Sequence, residues 1–594
     1  MCGFIGHIST LKNESINLDL PNRRIECRGP DKKQFTSFTA NDIRYSLFFN
    51  RLRILDLSEL ADQPMFSKNK KTVLMFNGEI FNHQELRKEL ITKGLKFLTN
   101  KSDTETLLNG LDYYGKQFIK KLRGQFSIVY IDFYNSEIIL ARDRLGQKPL
   151  FYEISEKSLS FSSNLKSLSE IKKDNKVNIS EMNKYLEYGV IKSPSTIYKN
   201  IFKVSPAEII TIKFQAKKFK LQKEKYWNPE EYIDNIDFDN DEFFDIFSQS
   251  INIRKEADVR VANLLSGGLD STSIIKNLYS HNEEINTFSV TFPKSKYDEK
   301  IWSDIVSKKY STNHTNLEVA PNIGYENVVK TIDSLDEPYC DPSLVPSYIV
   351  YEEISKYFKV AISGDGGDEL LGGYSRVINS LNQNIKVNNY FSNIYKAFPP
   401  ALGTGNFFLK RNKNLETRYK SYLSDKKFLN LLNLEVVEID QYIHINKNID
   451  EYKSLLLNEY QLFLSEMMLL KVDRTSMYHS LEVRSPFLDH ILIEYVLSHS
   501  TNYIQKDNPK ALLKNYLMSD FGIEFTHRTK QGFVFDLEKW IYNHNRIIFE
   551  ILSESLISTF FEIKNIKYLL IYKSRINAIR IWKLLTLHYF FEDK

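Results

Sequence analysis

No stretch of this chain reaches the roughly 18 consecutive apolar residues that a membrane-spanning helix requires. The first residues, Met1 to Ser9, lack the basic start and long apolar run of a signal peptide. Cysteine is scarce. Cys2, Cys27 and Cys340 are the only three in 594 residues, an odd number without paired or metal-type spacing, which argues against a disulfide framework and against zinc. These absences point to a cytoplasmic, reduced protein with no membrane partner. An excess of one charge is lacking too: 80 basic against 75 acidic side chains leave +5, near balance for this length. The C-terminal stretch holding Lys564, Lys567, Lys573, Arg575, Arg580 and Lys583 is basic, as a nucleic-acid contact would be. Its apolar residues Leu569, Ile576, Ile579 and Trp582 recur at helical spacing, so the expectation is an amphipathic helix with a solvated cationic face and no nucleic-acid partner. Internal repeats and low-complexity linkers are also missing.

What is present suits large cores: 42% of residues are hydrophobic and 13% aromatic. The chain is too long for one core, so at least two domains are expected. The first ~210 residues read as short β segments with turns, among them Thr72 to Phe76, Gln125 to Asp132 and Glu137 to Arg142. A helix is expected from near His83, with Leu86 and Leu90 on one face. Tyr226-Trp227-Asn228-Pro229 and the acidic stretch to Glu242 read as an exposed boundary, giving domains over 2–215 and 230–594. Beyond it, apolar strands at Val261 to Leu265, Asn286 to Phe292 and Val360 to Ser363 alternate with helical patterns such as Ser271 to Tyr279. That alternation predicts a doubly wound parallel sheet with ligands at the strand C-termini, followed from Asn458 by a mostly helical part.

Cys2 follows the initiator Met1 and is small enough for Met1 to be removed, which would join a thiol and a free α-amine on one residue. Such an amine titrates near 7.7–8.0 and can act as a general base close to neutrality. Alone, Cys2 reads as an incidental or buried cysteine. It is followed, however, by Gly3-Phe4-Ile5-Gly6, then Arg28-Gly29-Pro30-Asp31, Arg51-Leu52, Asn77-Gly78-Glu79-Ile80-Phe81-Asn82, Ser102-Asp103-Thr104-Glu105 and Arg142-Asp143-Arg144-Leu145-Gly146-Gln147-Lys148-Pro149-Leu150. In this order the segments resemble the class II (N-terminal nucleophile) glutamine amidotransferases across the whole first domain. The resemblance implies glutamine binding by Arg51-Leu52-Arg53-Ile54-Leu55, Asn77, Gly78, Glu79 and Asp103, with Arg51 clamping the α-carboxylate and Asp103, with Glu79 nearby, on the α-ammonium. The Asn77 side-chain amide and the Gly78 N–H match the family's oxyanion hole. Taken singly, Asn77-Gly78 is a hairpin-turn signal, Asp103 an N-cap for Thr104 to Leu111, Arg51 a surface ion pair and Cys27 packing. Two departures stand out: Phe49 where the family commonly has histidine, and Gly124-Gln125-Phe126-Ser127 where it usually has Gly-Met-Phe-Ala.

In the second part, Ser266-Gly267-Gly268-Leu269-Asp270-Ser271 lies between a predicted strand and a helix, where small residues and helix N–H donors suit a phosphate. It is not a Walker A loop and resembles the pyrophosphate-binding loop of ATP pyrophosphatases. A second Gly/Asp turn, Ser363-Gly364-Asp365-Gly366-Gly367-Asp368-Glu369, also follows a strand. Carboxylates beside a polyphosphate imply Mg²⁺, and their spacing is too irregular for an EF-hand. With Lys471-Val472-Asp473-Arg474, Leu481-Glu482-Val483-Arg484-Ser485-Pro486-Phe487-Leu488-Asp489 and Arg528-Thr529-Lys530-Gln531-Gly532-Phe533, the chain is identified as a member of the glutamine-hydrolysing asparagine synthetase family over nearly its full length.

That resemblance implies an αββα glutaminase sandwich joined to an α/β ATP-pyrophosphatase-type domain, an internal ammonia tunnel and a homodimer. By motif match Leu264, Leu265, Ser266, Gly267, Gly268, Asp270, Ser271, Val290, Ser363 and Gly364 would meet ATP, with Asp270 and Asp368 holding Mg²⁺–pyrophosphate. Lys530 would stabilise phosphate charge, although a solvated surface lysine is the ordinary alternative, and Trp540 and Trp582 read as core. Many relatives carry Glu where this chain has Asp365, at the acceptor side, so the acceptor is aspartate or another carboxylate such as a sugar uronate or a peptide precursor. A non-catalytic scaffold would be expected to have lost Cys2, Asp270 or Lys530, and all three are present.

Overall fold

Alternate residues of the strand Thr72–Ile80 enter two different cores, and this explains the first half of the molecule. Val73 and Met75 pack with Phe4, Phe49, Val129 and Leu140 between two sheets, whereas Leu74 and Phe76 pack with Leu86, Leu90, Leu107 and Leu111 of overlying helices. The period-two alternation of a strand makes this division when both faces are covered. The structure, a computed structural model, describes residues 2–11, 16–172, 175–215, 218–281, 284–291, 300–318, 323–381, 390–435, 442–501, 508–528, 535–562 and 565–592. Each of the two sheets has six strands, paired antiparallel throughout. The helices His83–Thr92 and Asp103–Tyr114 cover the outer face of the second. On the outer side of the first, Ile5 packs with Leu18 and Ile25, beside the short helix Asp19–Arg23. This is the αββα sandwich that the sequence predicts.

The second half is built on a five-stranded parallel sheet in the spatial order Asn313–Glu318, Asn286–Thr291, Val261–Leu264, Val360–Ile362, Glu482–Arg484. Chain order runs outward from Val261–Leu264 in both directions, so the switch point lies between that strand and Val360–Ile362. The loops Ser266–Ser271 and Ser363–Asp368 leave these two neighbouring strands at the same end. From Glu451 the chain is mostly helical, ending in Arg575–Glu592.

Two expectations change. The cationic face expected at the C-terminus is solvated only in part: Lys567, Lys573 and Arg575 are exposed and Lys564 lies outside the described residues, but Arg580 is fully buried, donating Nε and Nη2 to the Asp425 carboxylate, and Lys583 is buried against the Leu186 and Glu187 carbonyls. Packing Trp582 into the core forces its neighbours inward, and their charges are met by partners there. At the acidic boundary Trp227 is likewise buried, donating Nε1 to Glu494, while most of 230–240 is exposed. Among the described residues no helix is long and apolar enough to cross a membrane.

Candidate functional site

Cys2 begins the strand Cys2–Ser9 and lies directly opposite Arg51 in the antiparallel register with Ile43–Arg51, which joins residues far apart in sequence. A cleft at this strand end is lined by Cys2, Arg51, Leu52, Ile54, Leu55, Gly78, Glu79 and Asp103, all singled out from sequence, and by Gln63, Phe76 and Thr104, which were not. Arg53 and Asn77 stand just outside the lining. The Cys2 N–H donates to Asn77 Oδ1 at 3.0 Å, and Asn77 Nδ2 is 3.4 Å from Ser127 Oγ. Arg53 turns to Asp62 (3.2 Å). Arg51 is aimed by the Asp62 carboxylate at 2.6 Å and by the Ser58 and Asp56 carbonyls.

Asn77-Gly78 is no turn. It sits in mid-strand, with Gly78 at φ +153° and its α-carbon so near the neighbouring strand that a Cβ would lie 2.0 Å from the Gln125 carbonyl oxygen. Nor is Asp103 the helix cap: Ser102 caps by accepting from the Glu105 N–H, which leaves Asp103 to accept from the Ile80 N–H at 3.2 Å. Gln63 clamps Phe76 by giving its amide to the Phe76 carbonyl and accepting the Phe76 N–H; no motif spacing marks it.

Electrostatically the cleft is strained. Burial pushes the Cys2 thiol up, with Arg51 opposing and Glu482 adding to the rise. Burial and the neighbouring Asp103 push Glu79 well above the usual carboxylate range, with Arg484 pulling the other way. Two carboxylates and a thiol thus lie in a dry site suited to a ligand bearing a positive group.

In the second half, the two loops touch. A Cβ on Gly367 would meet Asp270 Oδ1 at 2.4 Å, and one on Gly364 would meet Asp270 Cβ at 2.9 Å, so both positions require the missing side chain. Ser266 Oγ accepts from the Gly268 N–H and lies 3.3 Å from Ser271 Oγ. Leu265 is fully buried and contributes its N–H to the Phe288 carbonyl, while Leu264 and Val290 are half-buried on adjacent strands. Gly267 O accepts from Arg528 Nη2 at 2.6 Å. Lys530, two residues on, lies outside the described residues. Asp365 Oδ2 accepts from Ser363 Oγ at 2.7 Å.

Asp270 and Asp368 converge on one nitrogen. Lys510 Nζ lies 2.6 Å from both Asp270 carboxylate oxygens and 2.5 Å from Asp368 Oδ1, with Lys510 itself buried. Sequence gave no sign of Lys510, which precedes the helix Ala511–Thr526 in a left-handed conformation at φ +58°. The carboxylate pair therefore fits a cation. Among the described residues no group of three or more potential ligands converges, so a divalent ion there would be held by these two carboxylates and by phosphate oxygens, the usual pattern for Mg²⁺.

Between the two sites lies a chamber with room for about one molecule of water or ammonia, about 10 Å³, lined by Gln125, Lys148, Ser363, Asp365, Asp473 and Val483 among others. A larger cavity of about 370 Å³ runs past Arg24, Arg28 and Arg474, but these already pair with Glu170, Asp473 and Asp336.

Comparison with known proteins follows the same division. The family described as glutamine amidotransferase domain matches residues 1–227, and the family described as asparagine synthase matches residues 242–591. Asparagine synthetase (glutamine-hydrolyzing) 1 of Bacillus subtilis is 28% identical over 591 residues, covering 93% of this chain and 90% of its own. Asparagine synthetase (glutamine-hydrolyzing) 3 of the same organism is 27% identical over 562 residues, covering 90% and 87%. Among solved structures, the glutamine phosphoribosylpyrophosphate amidotransferase from B. subtilis is 15% identical, covers 48% of this chain and 65% of its own, and has a TM-score of 0.27.

Proposed function

This chain belongs to the asparagine synthase family and carries a glutamine amidotransferase domain, and we propose that it converts ATP, aspartate, glutamine and water to AMP, diphosphate, asparagine and glutamate. The observation that supports this reading most is the adjacency of the two sites. Glu79 lines the Cys2 cleft, its cross-strand partner Gln125 lines the small chamber, and Asp365 of the second loop lines that same chamber.

In this reading Arg51 takes the glutamine α-carboxylate through a fork held by Asp62, and Asp103 with Glu79 receives the α-ammonium, whose charge relieves their mutual repulsion. Removal of Met1 frees the Cys2 α-amine, which takes the thiol proton; attack on the side-chain amide releases ammonia, and water then frees glutamate. The Asn77 amide and the Gly78 N–H stabilise the oxyanion. ATP lies over Ser266–Ser271 with its adenylate end toward Leu264, Val290, Ser363 and Gly364. Asp270 and Asp368 would hold Mg²⁺, which would supply charge neutralisation for the diphosphate. Lys510 already joins those two carboxylates, and Lys530 stabilises phosphate charge. The acceptor carboxylate attacks the α-phosphorus, and ammonia displaces AMP from the resulting acyl-adenylate.

One observation favours a second acceptor. Asp365 is one methylene shorter than glutamate and is folded back on its own Ser363 hydroxyl, which leaves more room beside the reacting carbon. Diphosphate release with ATP, Mg²⁺ and glutamine, measured with and without aspartate, separates the two. Equimolar asparagine and diphosphate support asparagine synthesis. Glutamate production without aspartate-dependent diphosphate overturns it and directs the search to other carboxylic acids.

A further inference from the structure

The cleft and the chamber are separated by four buried side chains. Glu79 and Gln125 are cross-strand partners and so stand side by side on one sheet face. Across from them the strand Glu482–Arg484 presents two more. Arg484 Nη2 lies 3.2 Å from Glu79 Oε2, Arg484 Nε donates to Glu482 Oε1 at 2.6 Å, and Gln125 Nε2 donates to the same Glu482 oxygen at 3.4 Å. Glu482 and Arg484 are wholly buried and Gln125 is 1% exposed, so no bulk water enters here. The tight contact of this set is the 2.6 Å bond from Arg484 Nε to Glu482; the long, weak hydrogen bond is the one between Gln125 and Glu482.

We propose that the Gln125–Glu482 hydrogen bond is the gate through which ammonia passes from the Cys2 cleft to the Asp365 chamber, with Gln125 as its positioning residue. The inference rests on the internal ammonia transfer proposed above and adds which contact controls it. Parting this bond exposes an amide and a carboxylate to the passing molecule: ammonia donates to Glu482 while it accepts from Gln125 Nε2. The carboxylate does not protonate it. Burial would raise the Glu482 carboxyl, but Arg484 and Lys148 hold it down at about 2, so this carboxylate carries no proton to give. The gate is also tied to the nucleotide side, because the Arg484 carbonyl accepts from the Ser363 N–H at 2.9 Å at the start of the second loop. A shift of that loop moves Arg484, and with it Glu482. The polar gate belongs to this chain: the family pattern usually has methionine where Gln125 stands.

Gln125→Leu and Gln125→Met test the proposal, the second keeping the unbranched shape in case the first does not fold. Each is assayed for glutamate formation, for product formation driven by ammonium chloride, and for the ratio of glutamate to amidated product with glutamine as the nitrogen source. The expected result is that the two separate activities stay within about twofold of the parent while glutamate per product rises by about fivefold, the equivalent of one hydrogen bond. Intact separate activities with an unchanged ratio in either variant would overturn the gate. If the parent itself makes no product from ammonium chloride, the amidation reading fails first and the gate with it, a result distinct from an unchanged ratio.

Discussion

A buried thiol is a poor nucleophile until a base takes its proton, and in the proposed reaction that base is the α-amine of Cys2 itself, since Glu79 faces Arg484 and Asp103 accepts from the Ile80 N–H. Cys2→Ala is expected to lower glutamine-driven synthesis by about 10³-fold or more while ammonia-driven synthesis stays within about twofold, measured as diphosphate release. Gly78 carries a different load. Its φ of +153° and the 2.0 Å approach of any Cβ to the Gln125 carbonyl mean that Gly78→Ala must push two paired strands apart. The expected cost is about 3 kcal/mol or more, read from the urea midpoint. The cleft residues were visible in the sequence because the roles proposed for them, nucleophile, clamp and oxyanion donor, each need a particular residue type. Gln63, Lys510 and Arg484 were not marked as site residues: each acts by reaching across the fold to a loop or strand distant in sequence, and spacing carries no trace of that.

Among the elements, the pair of loops leaving Val261–Leu264 and Val360–Ile362 is the part most dependent on a single side chain. Two carboxylates brought to one point repel unless a cation joins them, and in this structure Lys510 does so. Lys510→Met is expected to lower the thermal midpoint in metal-free buffer, because it removes the cation that two half-buried carboxylates share, at a cost of about 1–3 kcal/mol. Added Mg²⁺ and ATP should restore much of that loss; a midpoint equal to the parent's without metal would show that Lys510 does not carry the contact. Several strands were legible within a residue or two, as at Val261–Leu264 and Glu137–Arg142, since a covered parallel strand or an alternating antiparallel one has a distinctive pattern, whereas the strand expected over Thr72 to Phe76 runs on to Ile80 through Asn77-Gly78. The expected C-terminal helix is two, Ile566–Ile571 and Arg575–Glu592; Leu569 and Trp582 are buried as expected, Ile576 is exposed, and of the cations Arg580 and Lys583 are buried where solvation was expected. Periodicity reports which residues can be buried together, not that Arg580 will find Asp425 inside.

Taken as one body, the two halves are joined by buried charge. Arg28 makes two bonds to Asp473, at 2.9 and 3.1 Å, and also donates Nε to the Cys2 carbonyl, while Arg123 and Arg254 meet at Asp489. Burial alone would raise both carboxyls, but Arg28 and Lys148 at the first, and Arg254 and Arg123 at the second, hold them far below the usual range. A carboxyl depressed in the folded state stabilises fully above its unfolded pKa of about 3.9, and that contribution is lost as pH falls below it toward the folded value. Between about pH 4 and pH 2 the parent should therefore lose thermal stability more steeply than Asp473→Asn, which is already weaker at neutral pH by about 3–5 kcal/mol. Parallel midpoint-against-pH curves would contradict this.

In the proposed reaction, nitrogen released at Cys2 reaches the adenylated carboxylate without leaving the protein. The most direct test is synthesis from glutamine labelled with ¹⁵N in its amide, in the presence of excess unlabelled ammonium, with mass analysis of the product. Most of the product is expected to carry ¹⁵N despite the unlabelled pool. Product whose label falls in proportion to the external ammonium would contradict it, and would mean that the two sites share a chain but not a molecule of ammonia.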